Sequence, residues 1–321
     1  IAMSKSFPRI HAFEIDDQPW FPSFLRQRVQ TVLRLTWEAS IPILQSSSPA
    51  ERVARLLREQ LDSIDDYGFI DFCAGAGGPT PAIEKYVNAN RDPSKAGIPF
   101  IMTDLYPHVK SWERDAARSP NISYVSKPVD ATAAPDFLLD RFRGSKESSS
   151  SSGGDGIVSY AEMAAMKKSD HAIKPRKIFR LFNLAFHHFD DPLAKSILAD
   201  TVRTSDAFGI FELQQRTLSS FMMLNILYLS IFVVAPFYAL MNLDLVAFVF
   251  TWFLPIIPVV VTFDGYISSL RTRTPDEVEA LLRSCGAGNA EDWEIRGGTE
   301  RHFWPFGYLE WIICTKKSSA S

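Results

Sequence analysis

Five short apolar runs, each followed by a segment of helical periodicity, constrain this chain more than any other feature. Tyr67 to Cys73, Ile98 to Thr103, Ile122 to Val125, Lys177 to Phe182 and Ala207 to Leu213 read as strands. Ile83 to Asn88, His108 to Ala117, Asp136 to Phe142 and Pro192 to Val202 read as the helices between them. Strand and helix in strict alternation predict a parallel α/β sheet with helices on both faces. Two amphipathic helices precede it, Phe24 to Leu44 and Ala50 to Leu61, in which apolar residues recur at three and four. Pro275 to Leu282 reads as a further helix, and Trp293 to Ile295 and Leu309 to Thr315 as closing strands.

Composition narrows the function. With 46% hydrophobic residues among 321, the chain can bury a full core. The 34 basic and 37 acidic residues nearly balance, so no domain-wide basic field exists and nucleic acid is not an expected partner. Cys73, Cys285 and Cys314 are widely spaced and odd in number, neither a disulfide framework nor a zinc pattern, which suits a reducing, cytosol-facing location. Ile1 to Ile10 lacks an apolar run of signal-peptide length, so secretion by that route is not expected.

The first strand ends in Asp71-Phe72-Cys73-Ala74-Gly75-Ala76-Gly77-Gly78. Parallel sheets bind ligands at this carboxyl edge, and glycines let the backbone approach a ligand with positive φ. A dinucleotide and an adenosyl cofactor both suit such a loop. The second strand ends in Asp104, positioned to accept ribose hydroxyls. Asp130 follows the third, where it suits either an adenine amino group or a helix N-cap.

These features, with Asn183-Leu184-Ala185-Phe186-His187-His188-Phe189-Asp190-Asp191 after the fourth strand, resemble class I S-adenosylmethionine-dependent methyltransferases. The resemblance runs from about Asp65 to Leu213. It implies a Rossmann-like class I methyltransferase fold with a mixed seven-stranded sheet, and S-adenosylmethionine as cofactor. By position, it gives Gly75 and Gly77 the methionine part of the cofactor, with Asp71, Cys73 and Ala74 as further cofactor-binding residues. Asp104 takes the ribose and Asp130 lies near the adenine, with Leu105, Ala131 and, at the fourth strand's end, Asn183 as further cofactor-binding residues. Cys73 stands where the family more often has glycine. Phe72 to Gly78 also looks like the first motif of cytosine-5 DNA methyltransferases, but no Pro-Cys nucleophile follows the fourth strand.

For a hydroxyl or acid acceptor a base is required, and His187, His188 and Glu212 are the candidates at the carboxyl edge. The His-His segment also lines the pocket in family members without moving a proton, and Glu212 is as well placed to pair with Arg216. Asp264 is a weaker candidate. Adjacent histidines are not spaced as ligands on one helical face, so no metal is expected.

Between Arg216 and Asp264 the only charged side chain is Asp244. Phe221 to Leu240 and Leu245 to Phe263 each approach membrane-spanning length, with Arg216, Arg271 and Arg273 outside them as the positive-inside rule requires. Pro236, Pro255 and Pro258 shorten the spans, which favours a re-entrant or monotopic anchor over a crossing pair. The competing reading is an apolar lid over the pocket in a soluble cytoplasmic protein.

The expected organisation is a helical cap over 1–49, a methyltransferase domain over 50–317, and a tail at 318–321. A flexible Ser/Gly loop at 144–156 and an apolar hairpin at 217–263 interrupt the domain. The expected function is methyl transfer to an apolar small molecule or lipid, at oxygen before nitrogen, by a membrane-associated enzyme whose catalytic domain faces the cytosol. The alternatives are a non-methylating rearrangement or cyclisation that uses the same cofactor, and an inactive membrane-bound scaffold. No sequence feature fixes an oligomeric state.

Overall fold

The computed structural model describes residues 6–89, 91, 92, 94–143, 157–159 and 175–317. The Ser/Gly loop expected at 144–156 and the tail at 318–321 lie outside them. The described chain divides into two compact units, one of 50–211, 274–298 and 311–321 and one of 1–49, 212–273 and 299–310.

The sheet unit starts with α2 (Pro49–Gln60), β1 (Tyr67–Asp71), α3 (Thr80–Asn88), β2 (Phe100–Met102), α4 (Val109–Ala116), β3 (Ile122–Val125) and α5 (Asp136–Arg143). It continues through β4 (Ile157–Ser159), β5 (Lys177–Asn183), α6 (Asp191–Thr204), β6 (Ala207–Glu212), α10 (Pro275–Arg283), β7 (Trp293–Phe303) and β8 (Gly307–Lys316), with 212 and 299–310 of the last three strands counted in the second unit. Hydrogen-bonded neighbours run β4-β3-β2-β1-β5-β6-β8-β7. β1 pairs in parallel with both β2 and β5, as Asp71↔Met102 and Asp71↔Leu181. Crossovers therefore leave β1 in opposite directions, and the order reverses between β1 and β5. This is the Rossmann-like, doubly wound arrangement expected for the class I methyltransferase fold. The seven expected strands are present, and the three-residue β4 adds an eighth, antiparallel to β3.

Alternation of side chains divides the core between the two faces. Ile70, Phe72, Ile178, Phe182, Phe208 and Ile210 pack with α5, α6 and α10. On the other face Met102 and Tyr124 pack with Trp112 and Ala116 of α4. Within the first of these layers Arg180 is fully buried on β5. Its Nη2 donates to Asp200 Oδ2 at 2.6 Å, its Nη1 to the Ala131 carbonyl at 3.2 Å, and its guanidinium lies 4.2 Å over the Phe72 ring. Asp200 in turn accepts from the Ala134 N–H at 3.1 Å. Both ends of the turn after β3 are thus fastened to one buried ion pair. Burial pulls the Arg180 pKa down to about 10 against the pull of Asp200, so the guanidinium stays charged.

The second unit holds α1 (Ser23–Glu38), α7 (Leu218–Asn242), α8 (Leu245–Trp252) and α9 (Ile256–Arg271). Phe21, Leu25 and Val29 pack against Ile231, Ile257, Val260 and Val261. α7 is long and apolar enough to cross a membrane, while α8 and α9 form a second apolar stretch bent by 71°. Of the three prolines, only Pro255 breaks a helix: Pro236 sits inside α7 and Pro258 in the first turn of α9.

Two expected boundaries are corrected. α1 stops at Glu38 rather than Leu44, because Pro42 disfavours helix in the residue before it and Ala39 is already extended. The first closing strand runs to Phe303 rather than Ile295. Gly297 and Gly298 hide it in the sequence; a Cβ on Gly297 would lie 2.8 Å from Pro275, too close to fit without a shift, and one on Gly298 would make a tight 3.1 Å contact with Trp311.

Arg180→Ala strands the Asp200 carboxylate in the core and should cost about 3–5 kcal/mol of unfolding free energy. Urea denaturation of the variant beside Arg203→Ala, which removes only a 3.7 Å exposed pairing to the same carboxylate, checks this. Equal losses would remove the buried pair's special weight.

Candidate functional site

The order reversal between β1 and β5 opens a crevice at their carboxyl ends, which is where doubly wound sheets bind ligands. Asp71, the last residue of β1, is buried there. One carboxylate oxygen accepts from the Cys73 N–H at 3.2 Å. The other accepts from the Thr80 hydroxyl and, at 3.3 Å, from the Asn183 side-chain amide. Asn183 ends β5, so this acid joins the two strands flanking the crevice to the first turn of α3. Burial outweighs these donors and raises the Asp71 pKa to about 6, with a smaller push from Asp104.

The loop between Asp71 and Thr80 turns on three glycines with positive φ, 50° at Gly75, 108° at Gly77 and 49° at Gly78. It is held by its neighbours: the Ala74 N–H donates to the Thr103 carbonyl, Ser111 Oγ to the Ala76 carbonyl at 2.7 Å and Trp112 Nε1 to the Gly75 carbonyl at 2.9 Å. Asp104 closes the loop from β2. Its Oδ2 accepts from the Gly75 N–H at 2.9 Å and its Oδ1 from the Tyr106 N–H at 2.8 Å. Each oxygen keeps a lone pair for a further donor. Leu105 beside it is exposed.

Asp130 is exposed and uses its carboxylate locally, accepting from the Thr132 N–H and hydroxyl at 2.8 and 2.7 Å. It makes an Asx turn and does not cap α5, so the N-cap alternative is set aside. Ala131 is held from below by Arg180. Cys73 is half-buried, and its thiol is pushed well up, first by burial and then by the carboxylates of Asp104, Asp71 and Asp130. Those three acids therefore bear on one point, and Cys73 stays a neutral thiol near pH 7.

Past β5, Leu184 takes φ 50°, uncommon for a bulky residue and of the kind that gathers at functional loops. His187 is buried and His188 half-buried in the 3-10 turn Phe186–His188, with their rings 4.2 Å apart. Glu212 ends β6 and is buried. Asp264 has another task in the helical unit: its two oxygens accept from the Ile15 and Asp16 N–H groups at 2.6 and 2.9 Å, which ties down the N-terminal segment.

The glycine loop, Asp71, Asp104 and Asn183, all candidates from the sequence, thus come together at the carboxyl end of β1. Sequence reasoning passes over Thr80, Ser111, Trp112 and Leu184. Trp112 and Ser111 are helix residues whose polar atoms happen to reach the loop, and no local pattern marks them. Thr80 stands between two prolines in the first turn of α3, and nothing local shows that its hydroxyl turns to Asp71.

Two observations test the site against an adenosyl cofactor. A Cβ built on Gly75 meets no atom within 4 Å, so the loop borders open space. Asn183 Oδ1 is buried without a hydrogen-bond partner among the described residues, which costs about 1–3 kcal/mol unless a ligand supplies a donor. A cofactor with an amino group and ribose hydroxyls fits these acceptors.

No protein-family model and no curated protein matches the sequence. Solved structures with a similar fold include a SAM-dependent methyltransferase from Anabaena variabilis, 15% identical, covering 99% of each chain at a TM-score of 0.44. Human N-acetylserotonin methyltransferase is 12% identical over 84% of this chain at 0.39, and the pyocyanin biosynthetic protein PhzM 13% identical over 82% at 0.41. The chain spans about half the length of the last two, 54% of each. At these TM-scores the likenesses carry neither activity nor substrate to this chain, and the fold rests on its own strand order.

Asp71 gives the site a pH signature. An aspartate titrates near 3.8 in the unfolded chain and near 6 here, so its stabilising share is full below pH 4 and is lost as pH rises through 6, by about 3 kcal/mol. Urea midpoints at pH 4 and pH 7.5 should therefore fall less in Asp71→Asn than in the parent; an equal fall would mean that Asp71 titrates normally.

Proposed function

We propose that this chain is an S-adenosylmethionine-dependent methyltransferase acting on an apolar small molecule or lipid at a membrane surface, at oxygen in preference to nitrogen. Its sheet unit faces the cytosol. The observation that carries the reading is the convergence of Asp104, the Gly75 backbone and the unpartnered Asn183 Oδ1 on the β1/β5 crevice. Asp104 accepts the ribose hydroxyls with its remaining lone pairs, and Asn183 Oδ1 accepts from the cofactor's amino group. The bound cofactor supplies a methyl group on a sulfonium, open to direct displacement.

The protein's own task is then alignment of the acceptor and, for a hydroxyl, removal of its proton. His187 and His188 are the proposed base pair, with Glu212 as the third candidate. The apolar helical unit supports an acceptor that partitions into lipid, since apolar burial contributes about 25 cal/mol per Å².

Calorimetric titration of detergent-solubilised protein with S-adenosylmethionine and S-adenosylhomocysteine tests the cofactor. Micromolar binding is expected, weakened some thirtyfold or more in Asp104→Ala, as loss of a charge-assisted hydrogen bond worth about 2 kcal/mol requires. Absence of binding by a folded sample would overturn the reading. His188→Ala should lower transfer of labelled methyl into a lipid extract while leaving S-adenosylhomocysteine affinity unchanged. Cofactor binding with no methylated product would instead favour the non-methylating use of the same site.

A further inference from the structure

The apolar helices raise a question that length alone does not answer, because a 25-residue α7 is roughly 37 Å long and could cross a bilayer. What packs against these helices decides it. The N-terminal segment runs back along α9 from its last turn to its first. The Ile10 N–H donates to the Leu270 carbonyl, Ile15 and Asp16 donate to Asp264, and Phe21 packs with Ile257 and Val260. This strap is not helical, and it carries Arg9, Glu14, Asp16 and Asp17, the last with its side chain 45% exposed. Irregular backbone and an exposed carboxylate do not cross hydrocarbon. At the far end, Asp244 caps α8 and takes two bonds from Arg28 of α1, at 2.7 and 3.1 Å. A crossing hairpin would have to bring α1 and the strap through the membrane with it.

The opposite side of the bundle differs in chemistry. Leu218, Met222, Leu229, Val233, Phe237 and Leu240 stand exposed along one stripe of α7, and the turns beyond it expose Leu243, Leu245, Phe253 and Leu254. From Thr217 to Phe263 the only ionisable acid or base besides the tyrosines is Asp244, and Arg28 cancels its charge, so this face matches an uncharged solvent. Its polar groups are satisfied as such a solvent demands. Asn225, in the middle of the stripe, donates its amide to the Phe221 carbonyl, and Asn242 donates to Tyr238. Pro236 has no N–H for the Phe232 carbonyl one turn back, and the indole of Trp252 donates to that carbonyl at 3.2 Å instead. In water that carbonyl would need no protein partner.

We infer that the helical unit is a monotopic anchor: the α7 stripe and the α7–α8 and α8–α9 turns enter one leaflet of a phospholipid membrane, while the strap and α1 stay on the aqueous side. This rests on the membrane part of the proposed function and not on methyl transfer. Because the inserted face is neutral, binding to phosphatidylcholine vesicles should survive about 1 M salt, which screens charges beyond about 3 Å.

The test is flotation of the full chain with such vesicles, beside the triple variant Leu240→Glu, Leu243→Glu and Phe253→Glu. All three side chains are exposed, so folding should be unaffected, and circular dichroism checks that it is. At least a tenfold loss of floated protein is expected. Leu243→Cys, labelled with maleimide reagents above the wild-type background, should react with neither an external reagent nor one trapped in the vesicle lumen. Reaction with the trapped reagent would show a crossing hairpin and overturn the monotopic inference while leaving membrane association intact. Unchanged flotation of the triple variant, or a soluble dimer by light scattering that the variant dissociates, would overturn both. S-adenosylhomocysteine binding by the triple variant reads the cofactor site separately.

Discussion

The Asp71 carboxylate organises the end of the sheet where chemistry is possible. It is buried, which disfavours its charge, yet it draws a backbone N–H from the glycine loop, a hydroxyl from the start of α3 and an amide from β5 to one point. Two parallel strands that share no connection shorter than the crossovers are thereby joined at the level where a ligand would lie. Glycine at 75, 77 and 78 is then required, because the chain has to turn sharply between two fixed ends, Asp71 and Thr80. Asp104 and Trp112 hold the loop from the neighbouring strand and helix, so its shape is set before any ligand arrives. Preorganisation of this kind lowers the ordering cost of binding.

A second buried charge, Arg180, does for the turn after β3 what Asp71 does for the turn after β1. Each sits on a strand next to the crevice and is matched by hydrogen bonds from or to loop backbone. Buried charges are poor sources of net stability, but they are selective about geometry, since misplacing one strands it. Two buried charged side chains of the sheet thus fix loops, and the layer around Arg180 is otherwise built by aliphatic and aromatic packing.

The alternation of strands and helices was legible because each element obeys its own period over enough residues. The acids at 71, 104 and 130 were legible because they stand at or shortly after strand ends, where a period breaks. Arg180 was not: in sequence it is one charge in an apolar run, and only the partners Ala131 and Asp200, distant along the chain, explain it. The long β7 was hidden by paired glycines, which face Pro275 and Trp311 at close range across the fold. The apolar insertion announced itself by composition. Its union with the N-terminal helix did not, because Arg28 and Asp244 stand 216 residues apart and neither looks unusual where it is.

That separation bears on how the chain is made. Phe21, Leu25 and Val29 leave the ribosome well before their partners Ile257, Val260 and Val261. At 5–20 residues per second, an apolar stripe on α1 waits roughly ten to forty seconds for the helices that cover it. The sheet unit, whose strands β1 to β6 emerge in the interval, can fold meanwhile. Until the hairpin appears the nascent chain therefore carries the partial sheet of β1 to β6 and an uncovered amphipathic helix, and β7 and β8 complete the sheet only after the hairpin has been made.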